Sequence, residues 1–153
     1  MIEVVIRQFK ISELARVRYI TKLAYKVPYK EEALVTKPHE PKDEENKIKN
    51  KEEFILVALV KNRIVGAVRY NFNRLNNLYF FKLAVLKSCR KCGIGFLLIN
   101  EIEKIAKKKG CKKVLLDCAQ EKRLDEYYKK FGFKINKIVH KINHHAVYMF
   151  KNL

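Results

Sequence analysis

The sequence predicts an α/β domain built on one mixed, twisted sheet with helices on both faces. Three observations predict it. Segments of strand period and helix period follow one another in the order β-α-loop-β-β-β-α-β-α-β-β. The run KKVLLDCA (112–119) is almost wholly apolar, as expected of a central strand covered on both faces. A strand (79–87), a helix (93–109) and that apolar strand form one crossover unit, which makes them parallel neighbours among otherwise antiparallel strands.

The elements follow in order. IEVVIRQF reads as the first strand. ISELARVRYITKLAYKV reads as a helix, with Ser12 as its cap and Leu14, Val17, Ile20 and Ala24 recurring at helical spacing. A long loop with one short helix near 43–51 comes next. EFILVALVKNRIVGAVRYNFN reads as a hairpin that turns at Lys61-Asn62-Arg63, and Gly66 marks a bulge. NLYFFKLAVLK is the strand before the crossover helix. In that helix Ile94, Leu98, Ile102 and Ile105 share one face, and Gly110 ends it. EKRLDEYYKKF is a short helix ended by Gly132. FGFKINKIV and HAVYMFKNL, joined through HKINH, complete the sheet.

With 153 residues and 48% hydrophobic content, the chain fits one domain, 1–153, around a single core. Its longest apolar run, FILVALV, is far below the roughly 18–20 residues of a membrane span. Glu3, Arg7 and Lys10 fall too early for a secretory leader. These features point to a cytoplasmic protein with reduced cysteines and no membrane partner. The net charge is +18, but it is uneven: residues 28–53 hold eight acids, six lysines and all three prolines, a net of −2 against +20 for the remainder. Such a basic body attracts polyanions or phosphorylated ligands, so nucleic acid is an open but unfavoured partner.

The stretch KSCRKCGIGFLLINEIEKIAKKKG (87–110) carries the most chemistry. Cys89 and Cys92 have C-x-x-C spacing, but Cys111 and Cys118 stand too far apart to complete a zinc site. No metal is expected, and Cys111 and Cys118 read as core residues. Between strand and helix, however, Arg90, Lys91, Cys92, Gly93, Ile94 and Gly95 suit an anion. Glycine lets the backbone approach a ligand closely, and the first-turn N–H groups of a helix attract negative charge.

Here the sequence resembles the GCN5-related N-acetyltransferases. Arg90, Gly93 and Gly95 match R-x-x-G-x-G/A after a strand, and Tyr128 stands four residues before Gly132-Phe133, as in the family's closing signature. The element order agrees over nearly the whole chain. The resemblance implies the acyl-CoA N-acyltransferase fold, with acetyl-CoA as co-substrate and a primary amine as acceptor. It implies that Leu83, Ala84 and Val85 pair with the pantetheine arm, that an N–H near Val85 polarises the thioester carbonyl, and that residues 90–95 hold the pyrophosphate. Tyr128 takes the position of the acid that meets the departing thiolate. Glu121 replaces the family's frequent asparagine.

The general base stays open: Tyr79 stands roughly where some relatives carry glutamate. Water, one of His140, His144 and His145, or an acid of 28–53 are the alternatives. GCKKVLLDC with YYKKFGF is also similar to glucosamine-6-phosphate N-acetyltransferases, but the spacing is longer and their acidic pair is missing. The favoured reading is transfer to a small-molecule amine by direct attack in a ternary complex; the acids of 28–53 suit recognition of a cationic acceptor, but a solvated charged loop is the favoured reading of that segment. The alternatives are a protein N-terminus, a lysine or a charged tRNA as acceptor, or a non-catalytic module that binds acyl-CoA or nucleic acid. A homodimer is left open.

Overall fold

The computed structural model describes residues 2–25, 41–142 and 144–153. The stretch 26–40 of the acidic segment, where most of the long loop is expected, lies outside the described residues. The strands are β1 (Val4–Gln8), β2 (Phe54–Val60), β3 (Arg63–Phe72), β4 (Leu78–Val85), β5 (Lys113–Ala119), β6 (Lys134–His140) and β7 (His145–Asn152). The helices are α1 (Leu14–Ala24), α2 (Pro41–Lys49), α3 (Ile94–Lys108) and α4 (Leu124–Lys129). The sheet runs β1-β2-β3-β4-β5-β7-β6, and β4 and β5 are parallel. This is the mixed sheet the periodicities predict.

Local chemistry explains the joints. Lys61 and Asn62 form the two-residue turn between β2 and β3, both with positive φ (49° and 62°), a conformation that matches the strand twist. The register slips between Ala58 and Leu59, which leaves Val65 as the extra residue beside Gly66. Gly66 has a second reason: a Cβ there would meet Ala84 O and Ile94 Cγ2 at 3.2 Å, so its absence lets α3 lie close to the sheet. Ser12 does not cap the first helix. It lies inside a 3-10 turn (Ile11–Glu13), and Glu13 instead accepts the Lys10 backbone N–H at 2.7 Å while it pairs with Arg7. A longer carboxylate side chain reaches back where the serine hydroxyl does not.

Two cores flank the sheet. Under α3 and α4 lie Phe80, Leu98, Ile102, Val114, Leu116 and Met149, all 2% exposed or less. Under α1 lie Val17, Ile20, Ile55, Val57 and Ala67. Cys111 and Cys118 are buried in the first core, as their apolar surroundings in the sequence suggest.

One expectation is corrected. β5 is not covered on both faces: Val114, Leu116 and Cys118 are buried, but Leu115, Asp117 and Ala119 are only half-buried. The reason is where α1 lands. Its main contacts are with β3 and β4.

α2 is tied down by charge. Arg69, 2% exposed, donates to Glu44 (2.7 Å) and to Thr21 (2.8 Å), and Glu44 also accepts from Arg18 (3.0 Å). Burial alone would raise the Glu44 carboxyl, but Arg69 and Arg18 outweigh it and hold the pKa below its usual value. Nearby Glu53 is also buried, and its Oε1 has no partner among the described residues. Loss of hydration, then the Glu44 charge, push its pKa up.

Candidate active site

The site begins where two neighbouring strands part. β4 and β5 pair only at Leu78↔Val114 and Tyr79↔Leu115. Beyond Tyr79, β5 continues beside β7, and β4 continues beside β3 alone. β4 carries a bulge there: the register slips between Ala67 and Arg69, with Lys82 at φ 51°. A bulge bends a strand and increases its twist. The edge of β4 that would face β5 is therefore open.

The alternation of the ladder decides which groups reach that opening. Leu86 N–H bonds Val65 O, so Gly66↔Val85 is a non-hydrogen-bonded pair and Ala67↔Ala84 a hydrogen-bonded one. Ala84 thus turns its N–H and C=O to β3, whereas Leu83 and Val85 turn theirs into the opening. Two side chains meet them: Tyr25, at the end of α1, donates its hydroxyl to Leu83 O (3.2 Å), and Arg90 Nε donates to Val85 O (3.3 Å).

The loop after β4 makes a 3-10 turn (Lys87–Cys89) and enters α3 through two left-handed residues, Lys91 (φ 68°) and Gly93 (φ 77°). Gly93 is the residue before α3, and no side chain caps this end. The first-turn N–H groups of this 15-residue helix thus keep their donors for something outside the helix. The space around Gly93 is empty within 4 Å of where a Cβ would stand. Gly95 has a different explanation. A Cβ there would strike the hydroxyl of Tyr127, so Gly95 lets α4 pack across the start of α3. Arg90, Lys91 and Cys92 are exposed or nearly so, and Ile94 is buried.

Tyr128 is 7% exposed, edge-on to Phe80, Phe133 and Tyr127. Its hydroxyl has no hydrogen-bond partner among the described residues, yet it is not among the sealed, unpaired polar atoms. Burial raises its pKa well above 10, with smaller contributions from Tyr25 and Cys118.

Several of the alternative bases already have partners, while Glu31, Glu32 and Glu40 lie outside the described residues. His145 bonds Glu121 through its backbone N–H (2.9 Å) and Nδ1 (2.5 Å), and His140 packs edge-on against it at 4.5 Å. Within 28–53, Glu44 and Glu45 pair with Arg18, and Asp43 pairs with Lys47. Sequence reading missed Tyr25 and Asp117, which lie at the opening. Asp117 could have been noticed as the lone carboxylate of an apolar strand.

Cys89 is half-buried against the core and Cys92 is exposed. Among the described residues no group of three His, Cys, Asp or Glu is placed to hold a metal. Replacing both Cys89 and Cys92 with serine is expected to leave folding and thermal stability intact, with no zinc in the purified protein. Stoichiometric zinc in the unmodified protein, lost with unfolding on this double substitution, would overturn that expectation.

A strand edge left open beside an uncapped helix start defines a class of protein that can receive an extended, phosphate-bearing ligand. Comparison with known proteins makes the class specific. The family model described as the acetyltransferase (GNAT) family matches residues 16–133. The chain belongs to that family. No curated protein sequence matches it significantly.

Solved structures share its fold. The PaiA N-acetyltransferase from Thermoplasma acidophilum, in complex with coenzyme A, superposes with a TM-score of 0.81 at 19% identity over 99% of both chains. Ard1 from Thermoplasma volcanium gives 0.80 at 17% identity, covering 98% of this chain and 97% of that one. An aminoglycoside 6'-N-acetyltransferase complexed with coenzyme A gives 0.72 at 20% identity, covering 97% and 96%.

Proposed function

We propose that the protein, as one domain, transfers an acetyl group from acetyl-CoA to the primary amine of a small molecule by direct attack in a ternary complex. The observation that carries this reading is the opening between β4 and β5, which ends at the uncapped start of α3. The pantetheine arm lies along β4 like an added strand, bonded to the Leu83 and Val85 backbone, with Ala84 between them holding β4 to β3. The pyrophosphate sits on the N–H groups of the loop Arg90–Lys91–Cys92–Gly93–Ile94–Gly95, with Arg90 and Lys91 adding positive charge.

The amine nitrogen attacks the thioester carbon. As the C–N bond forms, the carbonyl oxygen gains charge and is stabilised by a β4 N–H near Val85. The C–S bond then breaks, and Tyr128 donates its hydrogen bond to the departing thiolate. Because burial keeps Tyr128 protonated throughout the neutral range, it serves as a standing donor. Four free cysteines suit a reducing, cytoplasmic setting.

The acceptor is tested by measuring free CoA release with acetyl-CoA and a panel that spans a polyamine, an aminoglycoside, a peptide N-terminus, a lysine peptide and aminoacyl-tRNA. The reading expects turnover with a small amine. Turnover with the tRNA alone, falling steeply with salt, would make the acceptor a macromolecule.

A further inference from the structure

The reaction needs a group to take the proton from the attacking nitrogen, and β4 offers no carboxylate. The opposite strand does. Asp117, on β5, stands just beyond the last paired residues, half-buried on the same face as Leu115 and Ala119. The Tyr79 hydroxyl donates to Asp117 Oδ1 in a short hydrogen bond. This link ties the two strands where their backbones cease to pair. Tyr79 itself is steadied by stacking on Phe81, with ring centroids 5.4 Å apart. Across β5, Asp117 is paired with Tyr148 on β7, and Tyr25, at the end of α1, reaches the open edge of β4 through its hydrogen bond to Leu83 O.

Asp117 thus has Tyr79 and Tyr148 as neighbours, and it has no ion pair among the described residues of a chain that holds 34 lysines and arginines. A half-buried carboxylate with one oxygen held and no ion-pair partner among the described residues is a poor stabilising device. It is a suitable receiver for an amine.

We propose that Asp117 is the catalytic group that accepts the proton from the acceptor nitrogen, and that Tyr79 is the residue that positions it. This rests on the acetyltransferase reading above. The neutral amine forms the new C–N bond, and the adduct nitrogen then carries a positive charge and an acidic N–H. That proton passes to Asp117, the carbonyl re-forms as the C–S electron pair leaves with sulfur, and the thiolate, held by the Tyr128 hydrogen bond, becomes CoA-SH by taking one proton from solvent as Asp117 returns one to it. Protons and electrons balance without a further reactant. A carboxylate is too weak a base to strip an ordinary ammonium ion, but it suffices for the adduct.

The test uses the full chain with acetyl-CoA and three defined acceptors, spermidine, kanamycin and a tetrapeptide with a free N-terminus. CoA release is followed with the best of the three. Asp117→Asn keeps the volume and an oxygen for Tyr79, and is expected to lower kcat by about 10²–10³-fold. The KM for acetyl-CoA should stay within about threefold, because no cofactor contact is lost. Tyr79→Phe should lower kcat by about tenfold with the same unchanged KM, and Asp117→Glu should fall between wild type and Asp117→Asn.

An unchanged kcat in Asp117→Asn would overturn the proposal and leave the acetyltransferase reading standing. A loss of acetyl-CoA affinity as large as the loss of kcat would also overturn it, by showing a structural role. If wild type binds acetyl-CoA but releases CoA with none of the three, the small-amine reading falls and the proposal with it. Should Asp117→Asn fail to fold, Asp117→Glu and Tyr79→Phe decide by the same split between kcat and KM.

Discussion

Replacing Gly93 with valine is expected to lower the affinity for coenzyme A by at least about 10²-fold, which corresponds to losing two charge-assisted hydrogen bonds of about 1.5–3 kcal/mol each. Two causes act together. Gly93 has φ 77°, which a β-branched residue adopts only under strain, so the turn that aims the N–H groups of α3 outward relaxes. The Cβ would also project into space that is empty in the protein and that the phosphates need. Gly93→Asn tolerates the left-handed conformation better, so it should retain more stability than Gly93→Val while still losing affinity. Calorimetry with coenzyme A on the folded variants checks this. Unchanged affinity in a folded Gly93→Val protein would remove the phosphate role of residues 90–95.

Tyr128→Phe is expected to lower kcat by about 10²–10⁴-fold, the range for loss of a positioned proton donor. The ring stays packed against Phe80, Phe133 and Tyr127, so the melting temperature should hardly move. Coenzyme A binding should be largely retained. With the phenol pKa held well above 10 by burial, wild-type activity should show no fall from Tyr128 ionisation between neutral pH and about pH 9. Tyr127→Phe is the comparison. Its hydroxyl lies over Gly95, so it should alter packing at the start of α3 and leave kcat within about threefold. Equal, small effects from both substitutions would reduce Tyr128 to a core aromatic.

Much of this architecture was legible in the sequence because periodicity reports which face of an element is buried. The strands and helices fall in the expected order, and the crossover through α3 is parallel as its length requires. What periodicity cannot report is where a helix stops. The apolar run of β5 suggested cover on both faces, whereas Leu115, Asp117 and Ala119 are only half-buried, and α1 packs on β3 and β4. The anion loop was visible as glycines and basic residues between a strand and a helix. The two glycines nonetheless differ: Gly93 is set by its φ and Gly95 by the Tyr127 hydroxyl, a contact made across 32 positions of chain.

Long-range polar pairs were invisible for the same reason. Tyr25 with Leu83 O, Tyr79 with Asp117 and Arg69 with Glu44 join residues far apart in sequence, and nothing local marks one partner for the other. Charge read by composition does not separate the roles of individual acids in the acidic segment. Its excess of acids suits a surface for a cationic acceptor, but two of them, Glu44 and Glu53, are buried, and Glu44 serves to hold α2 on the sheet through Arg69.

The most direct measurement is a crystal structure of the protein with coenzyme A. The account predicts the pantetheine amides paired with the Leu83 and Val85 backbone in the gap beyond Tyr79↔Leu115. It also predicts the pyrophosphate within about 2.7–3.2 Å of N–H groups in the loop from Arg90 to Gly95. Coenzyme A bound elsewhere, with the open edge of β4 untouched, would contradict it.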